Sequence, residues 1–139
     1  PEAAIHTKEE LLTVLPTVDL VINTLPGAAG KYVDEEFLNT MSPTSVYANV
    51  GRGSTTEEDA LIRALQSGQI AGAVLDVTAV EPLPADSPLW NMKNVLLTQH
   101  TGGGQANEDR GKVALFIANL NHFKNQEPLE WEVDLQNGY

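Results

Sequence analysis

Four short runs of the chain are almost wholly apolar and rich in β-branched residues: 18–23 (VDLVIN), 45–50 (SVYANV), 70–77 (IAGAVLDV) and 94–98 (NVLLT). None alternates strictly between apolar and polar positions, so they read as strands buried on both faces, as in parallel sheets. Between them the apolar spacing becomes helical. Thr7-Lys8-Glu9-Glu10 has the form of a capping box, followed by Leu11, Leu12 and Leu15 on one face. Asp34 is placed to cap a short helix that buries Phe37, Leu38 and Met41, with Pro43 just beyond its end. Thr55-Thr56-Glu57-Glu58 is a second capping box, Ala60, Leu61, Ala64 and Leu65 form the stripe behind it, and Gly68 supplies the stop. Residues 105–125 form the last predicted helix, with Val113, Phe116, Ala118, Leu120 and Phe123 on a broad apolar surface. From Asn125 onward (NQEPLEWEVDLQNGY) the periodicity is lost and an extended tail is expected.

Successive strands begin roughly 25 residues apart with a helix in each gap, the rhythm of right-handed βαβ units and a parallel sheet. The predicted class is therefore α/β. A length of 139 residues suits one domain or part of a larger one, and 42 % hydrophobic residues suffice for a packed core. The net charge of −11, with only eight Lys and Arg, argues against a nucleic-acid footprint, which needs clustered positive charge. The absence of cysteine removes disulfides, thiolate zinc sites and a thiol nucleophile, and no metal is expected. No apolar run approaches the ~20 residues of a membrane span, and no signal peptide is visible. A cytoplasmic protein with no membrane partner is expected. The first residue is Pro1 rather than Met, so the natural N-terminus is expected to lie upstream.

In open parallel sheets ligands bind beyond the carboxyl ends of the strands. Four polar segments fall there: Thr24-Leu25-Pro26-Gly27, Gly51-Arg52-Gly53, Asp76 with Glu81, and His100 with Thr101-Gly102-Gly103. Arg52 sits between glycines that permit a sharp turn and close approach of a ligand. It reads either as a bidentate fork for a carboxylate or as the partner of a local acid at a helix start. His100 is either a general acid/base or a hydrogen-bonded loop residue. Glu81, in the stiff Glu81-Pro82-Leu83-Pro84 segment, either orients an imidazole or is a solvated loop carboxylate. Asp76 is either a strand-end cap or a polar contact to a ligand. His6 and His122 lack such settings and read as surface or helix residues. An anion-binding Arg, a His base and a carboxylate at one sheet edge suit redox chemistry on a small carboxylic acid.

Three segments in order, Asn49-Val50-Gly51-Arg52-Gly53, then Leu75-Asp76-Val77 leading to Glu81-Pro82-Leu83-Pro84, then Thr98-Gln99-His100-Thr101-Gly102-Gly103, resemble the signatures of the D-isomer-specific 2-hydroxyacid dehydrogenases. The resemblance runs from about Val18 to the C-terminus. It implies the second half of a Rossmann-type parallel sheet with flanking helices over residues 1–124, and a tail, 125–139, that returns to a substrate domain. It implies hydride transfer between NAD or NADP and a small 2-oxo or D-2-hydroxy acid. Arg52 would bind the substrate carboxylate, His100 would exchange the proton with the C2 oxygen, and Glu81 would keep His100 protonated. Asp76 would contact the nicotinamide carboxamide. Thr24, Leu25, Pro26, Val50, Gly51, Gly102 and Gly103 would join Arg52, Asp76 and His100 around the cofactor.

The sequence departs from the family pattern at Gln99, commonly Pro, at Thr78, frequently aromatic, and at Gly27-Ala28-Ala29-Gly30, usually more polar. The Gly-x-Gly-x-x-Gly turn and the ribose-binding acid are absent, so weak dinucleotide binding by this chain alone is expected. An open first strand and uncovered apolar surface would then invite association with the missing half or with another copy. The alternatives to an oxidoreductase are a catalytically inert fragment and a cofactor-sensing regulator, as in the family's C-terminal-binding corepressors.

Overall fold

A computed structural model of the chain describes residues 5–101 and 107–132. The chain divides into two compact units, Pro1–Gly102 and Gly103–Tyr139.

The first unit holds a four-stranded, all-parallel sheet in the order β1 (Leu20–Asn23), β2 (Val46–Asn49), β3 (Gly72–Leu75), β4 (Val95–Leu97). Each strand lies inside its predicted apolar run. Helices α1 (Lys8–Val14), α2 (Glu35–Thr40) and α3 (Glu58–Ser67) occupy the intervals expected for them. On one sheet face Tyr47, Ala73 and Leu75 pack in a single buried cluster with Phe37 and Leu38 of α2 and Ala60, Leu61, Ala64 and Leu65 of α3. The other face is not buried throughout. Residues Leu20 and Ile22 align through Val46, Ala48 and Val74 with Leu96 on that face. Leu20, Ile22 and Leu96 are 52, 59 and 59 % exposed. This corrects the expectation of strands buried on both faces. It fits the two inner strands better than β1 and β4, because apolar content shows which surfaces tolerate burial and not which are covered.

The caps explain the helix limits. Thr7 accepts from the Glu10 N–H, but the Glu10 carboxylate takes the His6 N–H at 2.9 Å rather than the N–H of Thr7 itself. Asp34 caps α2 through the Phe37 N–H at 3.0 Å and pairs with Lys8 at 2.5 Å. Burial pushes the Asp34 carboxyl up, but the bonds from Lys8 and the Phe37 N–H outweigh it and hold it below the usual range. The second capping box does not form. Helix α3 starts at Glu58 behind Glu57, with no side-chain cap, and the hydroxyls of Thr55 and Thr56 turn into the interior instead. Gly68 ends α3 at φ +75°, a left-handed position that suits glycine.

In the second unit α4 runs from Glu108 to Asn125, and Val113, Phe116, Ile117, Leu120 and Phe123 on it are exposed. The segment after it is not simply extended. The Glu130 N–H reaches Asn119 Oδ1 at 2.8 Å, the Asn119 amide returns a bond to the Glu130 carbonyl, and the Pro128 carbonyl lies 2.8 Å from His122 Nδ1. The rest of the tail, 133–139, lies outside the described residues.

Candidate active site

At the carboxyl ends of β1 and β2 the last side chain of each strand is an asparagine, and the two are paired in register. Asn23 Oδ1 accepts the Leu25 N–H at 2.9 Å, and Asn49 Oδ1 accepts the Gly51 N–H at 3.0 Å. The Asn49 amide also donates to the Arg52 carbonyl at 3.2 Å, as the Thr55 hydroxyl does at 2.6 Å. Behind them Asn23 donates to the Tyr47 hydroxyl and to Thr55, both at 2.8 Å, and the Tyr47 hydroxyl lies 2.6 Å from that of Thr56. Burial pushes the Tyr47 phenol up, against the lowering effect of Thr56 and Asn23. Among the described residues no buried side-chain nitrogen or oxygen lacks a partner. The Arg52 loop therefore stands on a satisfied polar network.

The glycines flanking Arg52 answer a different need from the one read in the sequence. Neither has a positive φ. A Cβ at Gly51 would lie 2.6 Å from the Leu25 carbonyl oxygen, and one at Gly53 would lie 1.8 Å from that of Thr78. The neighbouring loops thus press on both sides of Arg52, so the close approach that needs glycine is made by protein backbone. Arg52 itself is exposed, donates to the Gly51 carbonyl at 2.8 Å, and takes part in none of the ion pairs among the described residues.

The ends of β3 and β4 bring together Asp76, Glu81 and His100 at a cavity of about 580 Å³, also lined by Thr78, Leu83, Trp90, Leu97 and Gln99. His100 Nδ1 lies 2.7 Å from Glu81 Oε2, and the Thr78 N–H donates to Glu81 Oε1 at 3.0 Å. The bond from His100, then that from Thr78, holds the Glu81 carboxyl below the usual carboxylate range, with the charge of Arg52 adding a smaller pull. Asp76 is buried and accepts from the Thr98 hydroxyl and, at 3.1 Å, from the Thr101 N–H. Trp90 donates its indole N–H to the Pro84 carbonyl at 2.9 Å, fastening the far end of the Glu81 segment.

Of the residues singled out in the sequence, Asp76, Glu81 and His100 line one cavity. Arg52, Val50, Gly51, Thr24, Leu25 and Pro26 lie on the adjoining loops of β1 and β2 and do not line it. Gly102 and Gly103 lie outside the described residues. His6 gives its backbone N–H to Glu10 just before α1, and His122 lies on α4 with Nδ1 beside the Pro128 carbonyl. Trp90 went unnoticed, because a single aromatic in a Pro-rich loop has no periodicity to mark it.

The fit to a dinucleotide is one-ended. The Asp76 and His100 cavity offers polar groups for a nicotinamide and its substrate. A pyrophosphate wants a helix N-terminus with free N–H groups and no opposing charge. Every described α-helix instead carries two acids in its first turn: Glu9 and Glu10, Glu35 and Glu36, Glu58 and Asp59, Glu108 and Asp109.

Comparison with known proteins identifies the family and the fold. The model of the D-isomer specific 2-hydroxyacid dehydrogenase NAD binding domain matches residues 1–102. Glyoxylate/hydroxypyruvate reductase A of Escherichia fergusonii is 34 % identical over 134 residues, covering 95 % of this chain and 42 % of that protein. A D-isomer specific 2-hydroxyacid dehydrogenase from Xanthobacter autotrophicus Py2, solved in complex with NADPH and MES, superposes with a TM-score of 0.85 at 36 % identity, over 100 % of this chain and 60 % of that one. An NADPH-dependent glyoxylate/hydroxypyruvate reductase from Sinorhizobium meliloti, solved with NADP and sulfate, gives a TM-score of 0.83 at 28 % identity, over 96 % of this chain and 44 % of that one. The chain spans well under half the length of the curated relatives it matches, 42 % of the Escherichia fergusonii reductase and 34 % of that of Yersinia pestis.

Proposed function

Because the chain belongs to the D-isomer specific 2-hydroxyacid dehydrogenase family through its NAD-binding domain, we propose that it carries the acid-binding and proton-transfer part of a site that reduces small 2-oxo acids. The observation that carries this reading is the His100–Glu81 pair, 2.7 Å apart at the edge of the cavity that Asp76 also lines.

His100 donates the proton that the C2 oxygen needs as the carbonyl becomes a hydroxyl. The Glu81 carboxylate accepts the Nδ1–H of His100, which leaves Nε2 to face the substrate. Arg52, unpaired with any acid among the described residues, binds the substrate carboxylate and polarises the adjacent carbonyl. Asp76 would hold the carboxamide of the nicotinamide, and Thr24, Leu25, Pro26, Val50 and Gly51, with Gly102 and Gly103 as the family resemblance implies, would complete the cofactor's surroundings. When bound, the reduced nicotinamide would supply a hydride for C2, which with the proton from His100 would turn the 2-oxo acid into the 2-hydroxy acid.

The acidic helix starts favour a second statement about this chain by itself: it binds the dinucleotide weakly and turns over slowly, if at all, unless another polypeptide supplies the phosphate cradle. Both statements are tested by following NADH and NADPH oxidation with glyoxylate and hydroxypyruvate. The assay uses this chain and a full-length relative in which these residues replace the matching segment. Activity in the chimera that disappears on His100→Ala is expected. An active chimera indifferent to both His100→Ala and Arg52→Ala would sink the assignment.

A further inference from the structure

His100 adopts φ +55°, the left-handed region that residues with a Cβ rarely occupy and that persists only where the surroundings enforce it. The turn around it is tied on both sides to one oxygen. The Thr98 hydroxyl and, at 3.1 Å, the Thr101 N–H both donate to Asp76 Oδ1. The Thr98 N–H meanwhile closes the parallel ladder on the Leu75 carbonyl at 2.9 Å. Thr98 is therefore fixed to β3 through backbone and side chain, and His100 begins its reversal two residues later. The reversal carries the ring to Glu81, whose carboxylate is held at its other oxygen by the Thr78 N–H.

We propose that Thr98 is a positioning residue: its hydroxyl bond to Asp76 holds the left-handed turn that sets the His100 ring against Glu81. The name rests on the reading of His100 as the proton carrier, but the geometry it describes does not. Without the hydroxyl the turn loses one of its ties to Asp76 among the described residues. The backbone at His100 then relaxes toward the ordinary negative-φ regions, and the ring swings off the carboxylate.

The test reads the ring directly in the 139-residue chain, by nitrogen-15 NMR of the histidine side chains in alkaline buffer, with His6 and His122 as internal references. In the unsubstituted chain His100 is expected in the Nδ1–H tautomer that the Glu81 carboxylate selects. Thr98→Val is expected to lower the ratio of bonded to unbonded ring roughly tenfold, the worth of one hydrogen bond to a charged acceptor, and to give a mixture of tautomers. Thr98→Ser is expected to restore the single form. Should Thr98→Val fail to fold, Thr98→Ala is expected to give the same mixture. A folded Val or Ala variant that keeps the Nδ1–H form overturns the proposal, as does a Ser variant no better than Val. A chimera that lacks turnover while Thr98→Val still frees the ring supports the tie at Thr98 and counts against the function proposed above, so the two failures are distinct.

Discussion

Replacing Gly53 with alanine tests the claim that the sheet-end loops are pressed together. The added Cβ would sit 1.8 Å from the Thr78 oxygen, 2.1 Å from its carbonyl carbon and 2.7 Å from the Ala79 nitrogen. All three are backbone atoms, so no side chain can rotate away. The 78–79 turn is itself pinned, since Ala79 N–H donates to Glu58 at 2.8 Å and Thr78 N–H to Glu81 at 3.0 Å. Relief needs a movement of about 1 Å or more, well beyond what close packing absorbs. Overpacking of this kind costs about 1–3 kcal/mol, and pinned backbone places Gly53→Ala at the upper end. For a chain of this size a loss near 3 kcal/mol lowers the melting temperature by roughly 10 °C. The assay is urea and thermal unfolding, with Gly27→Ala as the control. There the new Cβ meets only Ser54 Oγ at 3.5 Å and Arg52 Cγ at 3.9 Å, with no positive φ to lose. That control is expected to be neutral or to gain about 0.4–1 kcal/mol from the stiffer unfolded chain. If Gly53→Ala proved as stable as Gly27→Ala, the stacked-loop reasoning would be wrong.

The same geometry sets further expectations. Tyr47→Phe deletes the hydroxyl that receives Asn23 and meets Thr56 and should cost about 1–3 kcal/mol in urea unfolding; an unchanged midpoint would show that the network reorganises freely. Gly111 lies within α4, and a Cβ there would meet nothing within 4 Å, so Gly111→Ala should stabilise that helix by about 0.5–1 kcal/mol, seen as greater far-ultraviolet helicity at raised temperature. Carbon-13 titration should find the Glu81 carboxyl below the ordinary carboxylate range, returning toward it in His100→Ala. Because its folded-state value is depressed, its contribution to stability is present above the unfolded carboxylate value and is lost as pH falls through the folded one. That contribution is small, since Glu81 and His100 are 38 and 46 % exposed and salt screens them. Titration with NADH should give only millimolar binding to this chain alone, and micromolar affinity would show a phosphate site outside the acid-bearing helix starts.

Much of the architecture was legible in spacing alone. The four apolar runs each contain a strand, because strand length and gap length are set by local chemistry and by the reach of a βαβ crossover. What covers each strand was not legible, since Leu20, Ile22 and Leu96 look the same on paper whether or not a layer lies over them. The second capping box shows a different limit. Thr55 and Thr56 have the right spacing for a cap, but buried Asn23, Asn49 and Tyr47 compete for their hydroxyls, and a tertiary network outweighs a local motif. At the site, the polar residues after apolar strands pointed to Asp76, Glu81 and His100. Why Arg52 needs glycine on both sides was hidden, because the neighbours at fault, Leu25 and Thr78, are 26 and 25 residues away from Gly51 and Gly53 in sequence.

The strand-end polar residues share one structural part. The sequence leaves Asp76 as either a strand-end cap or a polar contact to a ligand, and Asn23 and Asn49 end their strands in the same way. In the fold each one caps its strand end and fixes the loop that follows. Asn23 turns back to the Leu25 N–H, Asn49 to Gly51 and Arg52, and Asp76 crosses to Thr98 and Thr101. Each satisfies backbone or side-chain groups that leave the sheet, and by doing so it sets the course of the loop that follows. An apolar residue at any of these positions would leave donors unsatisfied beside the core and release that loop. A rigid parallel sheet thus imposes its register on flexible loops through three side chains, one at or just past the end of each of β1, β2 and β3. Arg52 and His100 owe their placement less to their own contacts than to the residues that end the strands beneath them.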